Sequence, residues 1–361
     1  MAQQARILHK HGHRVTLFSG YNSLYPYTPE ELEIENIPAH VSELWGPDLY
    51  GFPFGALVSL WKHVKELDVV HLNGAWNLTT FLASLICSIK KIPYIISCRS
   101  HYGDYHFSRK PLLKKVLFYT FEYFNITHSH GLHVTADWET QTSWRAASIA
   151  KNIIKIPNPV NLSDFASPPH RRESRERLGL KQDGLYIVHL GRLGKQKNLT
   201  FLIRAFHQAD LGQHARLVLI GPPEEYEKNA IRKLSAELKI ENRLTFIDFA
   251  KGKERCDWLA AADLFALPSH DENFCIAAIE SVASGTHCLL SPHIGATEYL
   301  PDDYASVKPV DVEQWADWLR EYSTHPQEQR IPDAELFTPF SEVQILKDWE
   351  RIYHSIKYGT V

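Results

Sequence analysis

Excess charge of either sign is nearly missing from this chain of 361 residues, which carries a formal net charge of -3. A nucleic-acid binder would show a strongly basic balance, so that class is set aside at once. Long apolar runs are missing too. No stretch approaches the ~20 residues needed to cross a bilayer, and the longest candidate, Leu78 to Ile89, is interrupted by Thr79, Thr80, Ser84 and Ser88 and reads as a buried helix. The cysteines Cys87, Cys98, Cys256, Cys275 and Cys288 are odd in number and contain no Cys-x-x-Cys pair. That excludes a disulfide framework and a zinc site, and fits a reducing cytoplasm. The opening Met-Ala-Gln-Gln-Ala-Arg has no basic-then-apolar secretory layout. There is no P-loop, no Gly-x-Gly-x-x-Gly fingerprint and no Asp-x-Asp, since Asp302 and Asp303 are adjacent. A diphosphate held through a metal is therefore not expected.

What is present is an ordinary globular composition, 44% apolar and 22% charged, on a chain long enough for two domains. Strand and helix patterns alternate through both halves, the sign of βαβ units and parallel sheets. In the first half the strands read Val15–Phe18, Val69–Leu72, Tyr94–Ser97 and Leu132–Thr135; in the second, Leu185–Leu190, Arg216–Ile220, Leu244–Ile247, Leu264–Leu267 and His287–Leu290. Between the halves, Ile156-Pro157-Asn158-Pro159-Val160-Asn161 and Ser167-Pro168-Pro169 make a Pro-rich polar linker.

Two segments carry the chemistry. Gly191-Arg192-Leu193-Gly194-Lys195-Gln196-Lys197-Asn198 follows a strand and precedes a helix. Cationic side chains beside a helix N-terminus, with its unpaired amides, favour a diphosphate. Asn198 suits a left-handed residue or an N-cap there. The second segment, Ser269 to Glu280, follows the apolar run Leu264-Phe265-Ala266-Leu267-Pro268. It puts Glu272 in the loop at the carboxyl end of a strand and Glu280 two turns into the helix expected after Asn273. Ligands of open α/β sheets bind at that edge, and a carboxylate there can accept hydrogen bonds from sugar hydroxyls.

These segments resemble the family-4 retaining glycosyltransferases of GT-B architecture. Pro268-Ser269, Glu272-Asn273-Phe274, Glu280-Ser281 and Ser284-Gly285 are similar in order to that family's Glu-x7-Glu signature, and Gly191 to Asn198 resembles its Gly-Arg-Leu-x-x-x-Lys-Gly loop. By position, the resemblance implies that Arg192 and Lys197 hold the donor diphosphate and stabilise the leaving group, Glu272 meets the donor sugar and Glu280 the ribose. Asn273, Phe274, Cys275, Gly191 and Gly221 would complete the donor pocket, with Gly221-Pro222-Pro223 and Phe249 to Lys253 near the base. Cys275 stands where the family has Gly, which narrows the approach to the backbone; at a helix N-terminus its thiol is expected to have a lowered pKa.

On the acceptor side, Asp68 to Asn77 is similar to the family's Val-His-x-His/Asn-Gly-x-Trp segment and points to His71, Asn73, Gly74 and Trp76, although His71 reads equally as a satisfied core histidine. Ile92 to His101 resembles the Ser-Pro-Arg-Gly variant of surface-polysaccharide enzymes, with Arg99 or His101 near the reacting sugar. His11 to Leu17 resembles a strand entry that in the family follows a first strand, a Gly-rich loop and a helix. Only Ala5 to Lys10 of that helix is present, so the N-terminal domain is expected to be shortened.

The expectation is an α/β, GT-B chain with two doubly wound Rossmann-like parallel-sheet domains facing across a cleft. The N-terminal domain spans 1–165 with a C-terminal crossing helix, 340–361, whose Val343, Leu346, Trp349 and Tyr353 form a stripe; the nucleotide-sugar domain spans 166–339. The resemblance implies a retaining, metal-independent hexosyltransferase without a cofactor, moving sugar from a nucleotide-diphosphate donor to a glycan or lipid-linked acceptor in O-antigen, lipopolysaccharide or exopolysaccharide assembly. It would be cytoplasmic, with a peripheral membrane contact through the basic, aromatic-rich helix 109–124, which reads equally as a core helix with a basic start. The alternatives are a catalytically weak relative that binds nucleotide or glycan, and another GT-B enzyme, an epimerase or a phosphorylase.

Overall fold

The computed structural model describes residues 2–21, 37–46, 52–108 and 110–359. The chain forms two compact units, Met1–Pro159 with Pro339–Val361, and Val160–Thr338.

The first unit contains β1 (Leu17–Tyr21) paired in parallel with β2 (Ala39–Glu43), and a four-stranded parallel sheet in the order β3 (Val70–Asn73), β4 (Tyr94–Ser97), β5 (Gly131–Val134) and β6 (Ile153–Lys155). The strand expected at Val15–Phe18 starts two residues later, and β2 and β6 are additions to the sequence reading. Strands β4 and β5 are buried throughout, as strands covered on both faces must be. One face packs Leu72, Tyr94, Ile96, Leu132 and Val134 with the helix Leu78–Lys90.

The other face carries Ile95 and Ile154, packed with Ile7 and Leu8 of the helix Ala2–Lys10 and with Ile345 and Trp349 of the last helix, Glu342–Tyr358. Ser341 caps that last helix by accepting the Gln344 amide at 3.2 Å; Phe340 belongs to the preceding 3₁₀ turn, Ala334–Phe340. The buried stripe is Ile345 and Trp349, continued by the half-buried Ile352 and Ile356. Of the stripe read from sequence, Trp349 lies in this cluster with Leu346 and Tyr353 packed against it, while Val343 lies off it and is 71% exposed. The helix expected across 109–124 is three segments, Pro111–Leu117, a π turn at Phe118–Glu122 and Tyr123–His128; Arg109 lies outside the described residues.

The second unit holds β7 (Leu185–Leu190), β8 (Ala215–Ile220), β9 (Leu244–Ile247), β10 (Leu264–Leu267), β11 (His287–Leu290) and β12 (Ala305–Val307), all parallel, in the spatial order β12-β11-β10-β7-β8-β9. Alternate residues of β7 serve opposite faces. Leu185 and Ile187 join the core beneath the helices Leu199–Ala209 and Val312–Thr324, while Tyr186 and Val188 face Trp258 of the helix Gly252–Ala261. The order of strands reverses between β7 and β10, and such a switch point opens a crevice at the carboxyl ends of the strands.

Trp349 is the keystone of the last helix. It is 1% exposed and meets the rings of His71 and His133 edge-on at 4.7 and 4.9 Å. Trp349→Ala is expected to destabilise the first unit by about 3–5 kcal/mol, read as a lower urea midpoint; a loss under about 1 kcal/mol would mean that the helix is not held by this packing.

Candidate functional site

At the switch point the loop leaving β7 meets the loop leaving β10. The Gln196 carbonyl accepts from the His270 amide at 2.9 Å and from Ser269 Oγ at 3.0 Å, and Gln196 Nε2 donates to the Asp271 carbonyl. Lys197 Nζ is ion-paired with the Glu272 carboxylate, both largely enclosed. Glu272 is further fixed by its backbone, donating to the His293 carbonyl at 2.8 Å and accepting from the Gly295 amide at 3.0 Å. Arg192 is exposed on the same loop as Lys197. Asn198 is left-handed (φ 56°) and makes no side-chain cap bond, so it serves by its backbone and not as the N-cap acceptor expected. Gly221, at φ 138°, lies against Gly191 so closely that a Cβ would strike the Gly191 carbonyl. This packing of two strand-end loops requires glycine.

The helix that carries Glu280 is Ile276–Ala283, later and shorter than expected, so Glu280 lies little more than one turn inside it. Asn273 and the buried Phe274 precede it, and Phe274 is locked by the Ala296 amide donating to its carbonyl at 2.8 Å. Cys275 occupies the N-cap in a left-handed conformation, φ 74°, and is buried. Burial first, then the charge of Glu272, pushes its thiol up to about 12. The lowered pKa expected of a cysteine at a helix N-terminus is thus reversed, because desolvation of the thiolate outweighs the helix dipole.

Glu280 is 5% exposed and pairs with Arg255, whose Nη1 lies 3.1 Å from its carboxylate; Arg255 Nη2 also lies 3.5 Å from Asp164. Burial raises the Glu280 pKa to about 7 against the opposing pull of Arg255, and Asp164 adds to the rise. Neither Arg255 nor Asp164 was singled out in the sequence, since both lie far from Glu280 along the chain and no local pattern links them.

In the first unit, the loops after β3 and β4 are cross-tied. Gly74 donates to the Ser97 carbonyl at 3.0 Å, and Trp76 Nε1 donates to the His101 carbonyl at 2.6 Å. Asn73 is half-buried on the same turn, its Nδ2 3.5 Å from the His71 carbonyl. Arg99 Nη1 donates to Asn158 Oδ1 at 2.5 Å. His101 Nδ1 lies 2.7 Å from the Cys98 carbonyl; a carbonyl only accepts, so the ring proton is on Nδ1 and Nε2 is left with its lone pair. Burial, with help from Lys114 and Arg99, lowers the His101 pKa and keeps the ring neutral. His71 stands apart from this group. Its ring contacts Tyr353 Oη at 3.0 Å and Gln4 at 3.4 Å beneath the last helix, where burial and Arg99 lower its pKa to about 4. It has the surroundings of the core histidine that the sequence left open.

Among the described residues no three His, Cys, Asp or Glu side chains gather as a metal site would. The five cysteines are free and buried.

Two parallel α/β units, with a cation–carboxylate pair at the switch point of the second, define the GT-B class. The solved structures of Thermosynechococcus elongatus sucrose-phosphate synthase (TM-score 0.73, 19% identity, covering 98% of this chain and 90% of that one) and of Anabaena HepE in complex with UDP (TM-score 0.75, 18% identity, 98% and 94%) have the same fold. Residues 1–164 match the family described as Glycosyltransferase Family 4, and residues 170–333 match Glycosyl transferases group 1. The chain thus carries a domain of each of these two glycosyltransferase families, one after the other. Among curated relatives, the D-inositol 3-phosphate glycosyltransferase of Saccharomonospora viridis is 28% identical over 57% of this chain and 50% of its own length. An uncharacterized glycosyltransferase of Methanocaldococcus jannaschii is 25% identical over 80% and 76%. The chain thus spans only about half the length of the first of these relatives.

Glu280 binds its proton more tightly folded, at about 7, than its ordinary value of 4.5. The folded protein is therefore the proton-richer state between these values, and stability falls as pH rises through that window, by on the order of 3 kcal/mol in full. Glu280→Gln removes this slope, so urea midpoints of mutant and wild type should diverge steadily from pH 4.5 to 7. Parallel curves would mean that Glu280 titrates normally.

Proposed function

We propose that this chain is a retaining glycosyltransferase that moves a sugar from a nucleotide-diphosphate donor to a glycan or lipid-linked acceptor. The observation that carries the reading is the Lys197–Glu272 pair, which holds a cation and a carboxylate side by side at the switch point. A diphosphate drawn to Lys197, Arg192 and the nearby helix N-termini would take over the lysine and leave Glu272 to accept from the sugar hydroxyls. The carboxyl of Glu280, paired with Arg255, accepts from the ribose hydroxyls. When the bond between the anomeric carbon and the phosphate oxygen breaks, Lys197 and Arg192 offset the charge that develops on the diphosphate. That phosphate oxygen takes the acceptor's proton as the acceptor oxygen bonds to the same face of the sugar. The cations on the loop do this without a metal.

The loops that carry Asn73, Gly74 and Trp76, and Arg99 and His101, take the acceptor, with His101 Nε2 available to a hydroxyl. A lipid-linked acceptor in surface-polysaccharide assembly is favoured by the segment after Lys110. There Leu112, Leu113, Val116, Tyr119 and Tyr123 are exposed on the chain that also carries Lys110, Lys114 and Lys115. Apolar side chains interleaved with lysines suit the anionic inner face of a membrane, so the enzyme works in the cytoplasm against that surface. No helix among the described residues is long and apolar enough to cross a membrane. A weaker, binding-only role is favoured by one observation, the buried side chain of Cys275 at a left-handed position.

UDP, the ligand of the HepE structure, is the first probe. By titration calorimetry Lys197→Ala should weaken UDP binding tenfold or more, a loss of about 1.4 kcal/mol. Glu272→Gln frees the lysine and should bind UDP at least as tightly while losing sugar transfer. Unchanged UDP affinity in Lys197→Ala, or no binding of any nucleoside diphosphate by wild type, would refute the reading. The membrane contact is tested by sedimentation with vesicles of phosphatidylglycerol and phosphatidylcholine. Salt-sensitive binding to the mixed vesicles, abolished by Leu112→Asp with Tyr119→Asp, is expected; binding that survives the double substitution would exclude this face.

A further inference from the structure

Three non-glycine residues of the first unit's two strand-end loops sit in the left-handed region: Trp76 at φ 63°, and Arg99 and Ser100 in succession at 52° and 59°. Each such residue carries a steric cost, and only Gly, with Asn and Asp to a lesser degree, adopts the conformation routinely. Ser100 adds a second cost, since its hydroxyl is buried and lacks a hydrogen-bond partner. Something must hold these turns in place.

Each turn ends on a buried carboxylate. Glu122, 1% exposed, accepts the Trp76 amide at 2.6 Å on one oxygen, and Tyr102 Oη at 2.5 Å and Asn125 Nδ2 at 3.1 Å on the other. It reaches inward from the π turn Phe118–Glu122, a local irregularity of the kind found at functional sites. Glu139 is fully buried in the short helix Asp137–Thr142. One of its oxygens accepts the Ser100 amide at 2.6 Å and Cys98 Sγ at 3.2 Å; the other accepts the Thr135 amide at 2.8 Å and Thr135 Oγ1 at 3.0 Å. Seven donors thus converge on two carboxylates that touch no exposed surface. The turns they hold are tied to each other through Trp76 Nε1 and the His101 carbonyl.

We propose that Glu122 and Glu139 are positioning residues, internal carboxyl acceptors that hold the Gly74–Trp76 and Arg99–His101 turns in left-handed conformations and so fix where Arg99, His101 and Trp76 stand. Backbone amides of successive turn residues form concavities that bind acceptors such as anions; here the protein supplies the acceptor oxygens from within. The glutamates act through the loops and not on substrate. Their value to catalysis rests on the acceptor-side reading given above, whereas their hold on the loops does not.

The two parts are separated by pairing Glu139→Gln with Ser100→Gly. Glutamine keeps the shape but turns an amide toward donors and breaks part of the set. Glycine takes φ near 59° without steric cost and removes the unpartnered hydroxyl. Amide exchange followed by mass spectrometry should speed at least tenfold across 98–103 in Glu139→Gln, with peptides of the 160–338 unit unchanged. Adding Ser100→Gly should restore most of that protection, and Ser100→Gly alone should leave the segment at least as protected as wild type. If Glu139→Gln fails to fold, recovery of a folded protein in the double variant is the same rescue. Unaltered exchange across 98–103 in Glu139→Gln, or no rescue by Ser100→Gly, would overturn the proposal. In parallel, with a nucleotide sugar that wild type turns over, Glu139→Gln should lower kcat with little change in the donor KM, and Ser100→Gly should restore it. Exchange that behaves as expected without any such kinetic change would leave the hold intact and remove its link to transfer.

Discussion

The ion pair between Lys197 and Glu272 organises the second unit. A lysine and a glutamate that are both largely enclosed would each be costly alone. Together they close the gap between the loops of two neighbouring strands, β7 and β10. The loops are further joined through Gln196, which bonds to three consecutive residues, Ser269, His270 and Asp271. The pair compensates the lysine within the fold and yet holds a cation where an anion can claim it. Behind it Glu280 and Arg255 repeat the pattern with a carboxylate whose proton is held to about 7. Both pairs keep charge available near a helix N-terminus without leaving it uncompensated.

The first unit solves a related problem differently. Its strand-end loops carry the functional candidates in costly backbone conformations, and the compensation comes from carboxylates that never reach the surface. The last helix completes that unit, filling the sheet face with Ile345 and Trp349 and enclosing His71. Burial then keeps His71 and His101 neutral, His71 as part of the core and His101 with Nε2 unprotonated beside Trp76.

Much of this was legible in the sequence where one physical signal dominated. Strands β4, β7, β10 and β11 lie where the apolar runs put them, because strands covered on both faces leave continuous hydrophobic stretches; β9, a half-buried edge strand, also lies where it was read. Strands β2, β6 and β12 were invisible. β6 and β12 are only three residues long, and β2, Ala-His-Val-Ser-Glu, has no buried residue. The loop of Arg192 and Lys197 and the segment of Glu272 and Glu280 were found by motif, and the structure brings Lys197 and Glu272 into contact. The pairing of Glu280 with Arg255, the roles of Glu122 and Glu139, and the sign of the Cys275 shift were not readable. Each depends on how residues far apart in the chain enclose one group, and burial decides a pKa more strongly than the local helix terminus does.

The most direct measurement is a crystal structure of the protein soaked with UDP. The account predicts a diphosphate against the Gly191–Asn198 loop, with Lys197 turned from Glu272 to the phosphate and Glu280 bonded to the ribose. A nucleotide bound elsewhere, with the Lys197–Glu272 pair undisturbed, would contradict it.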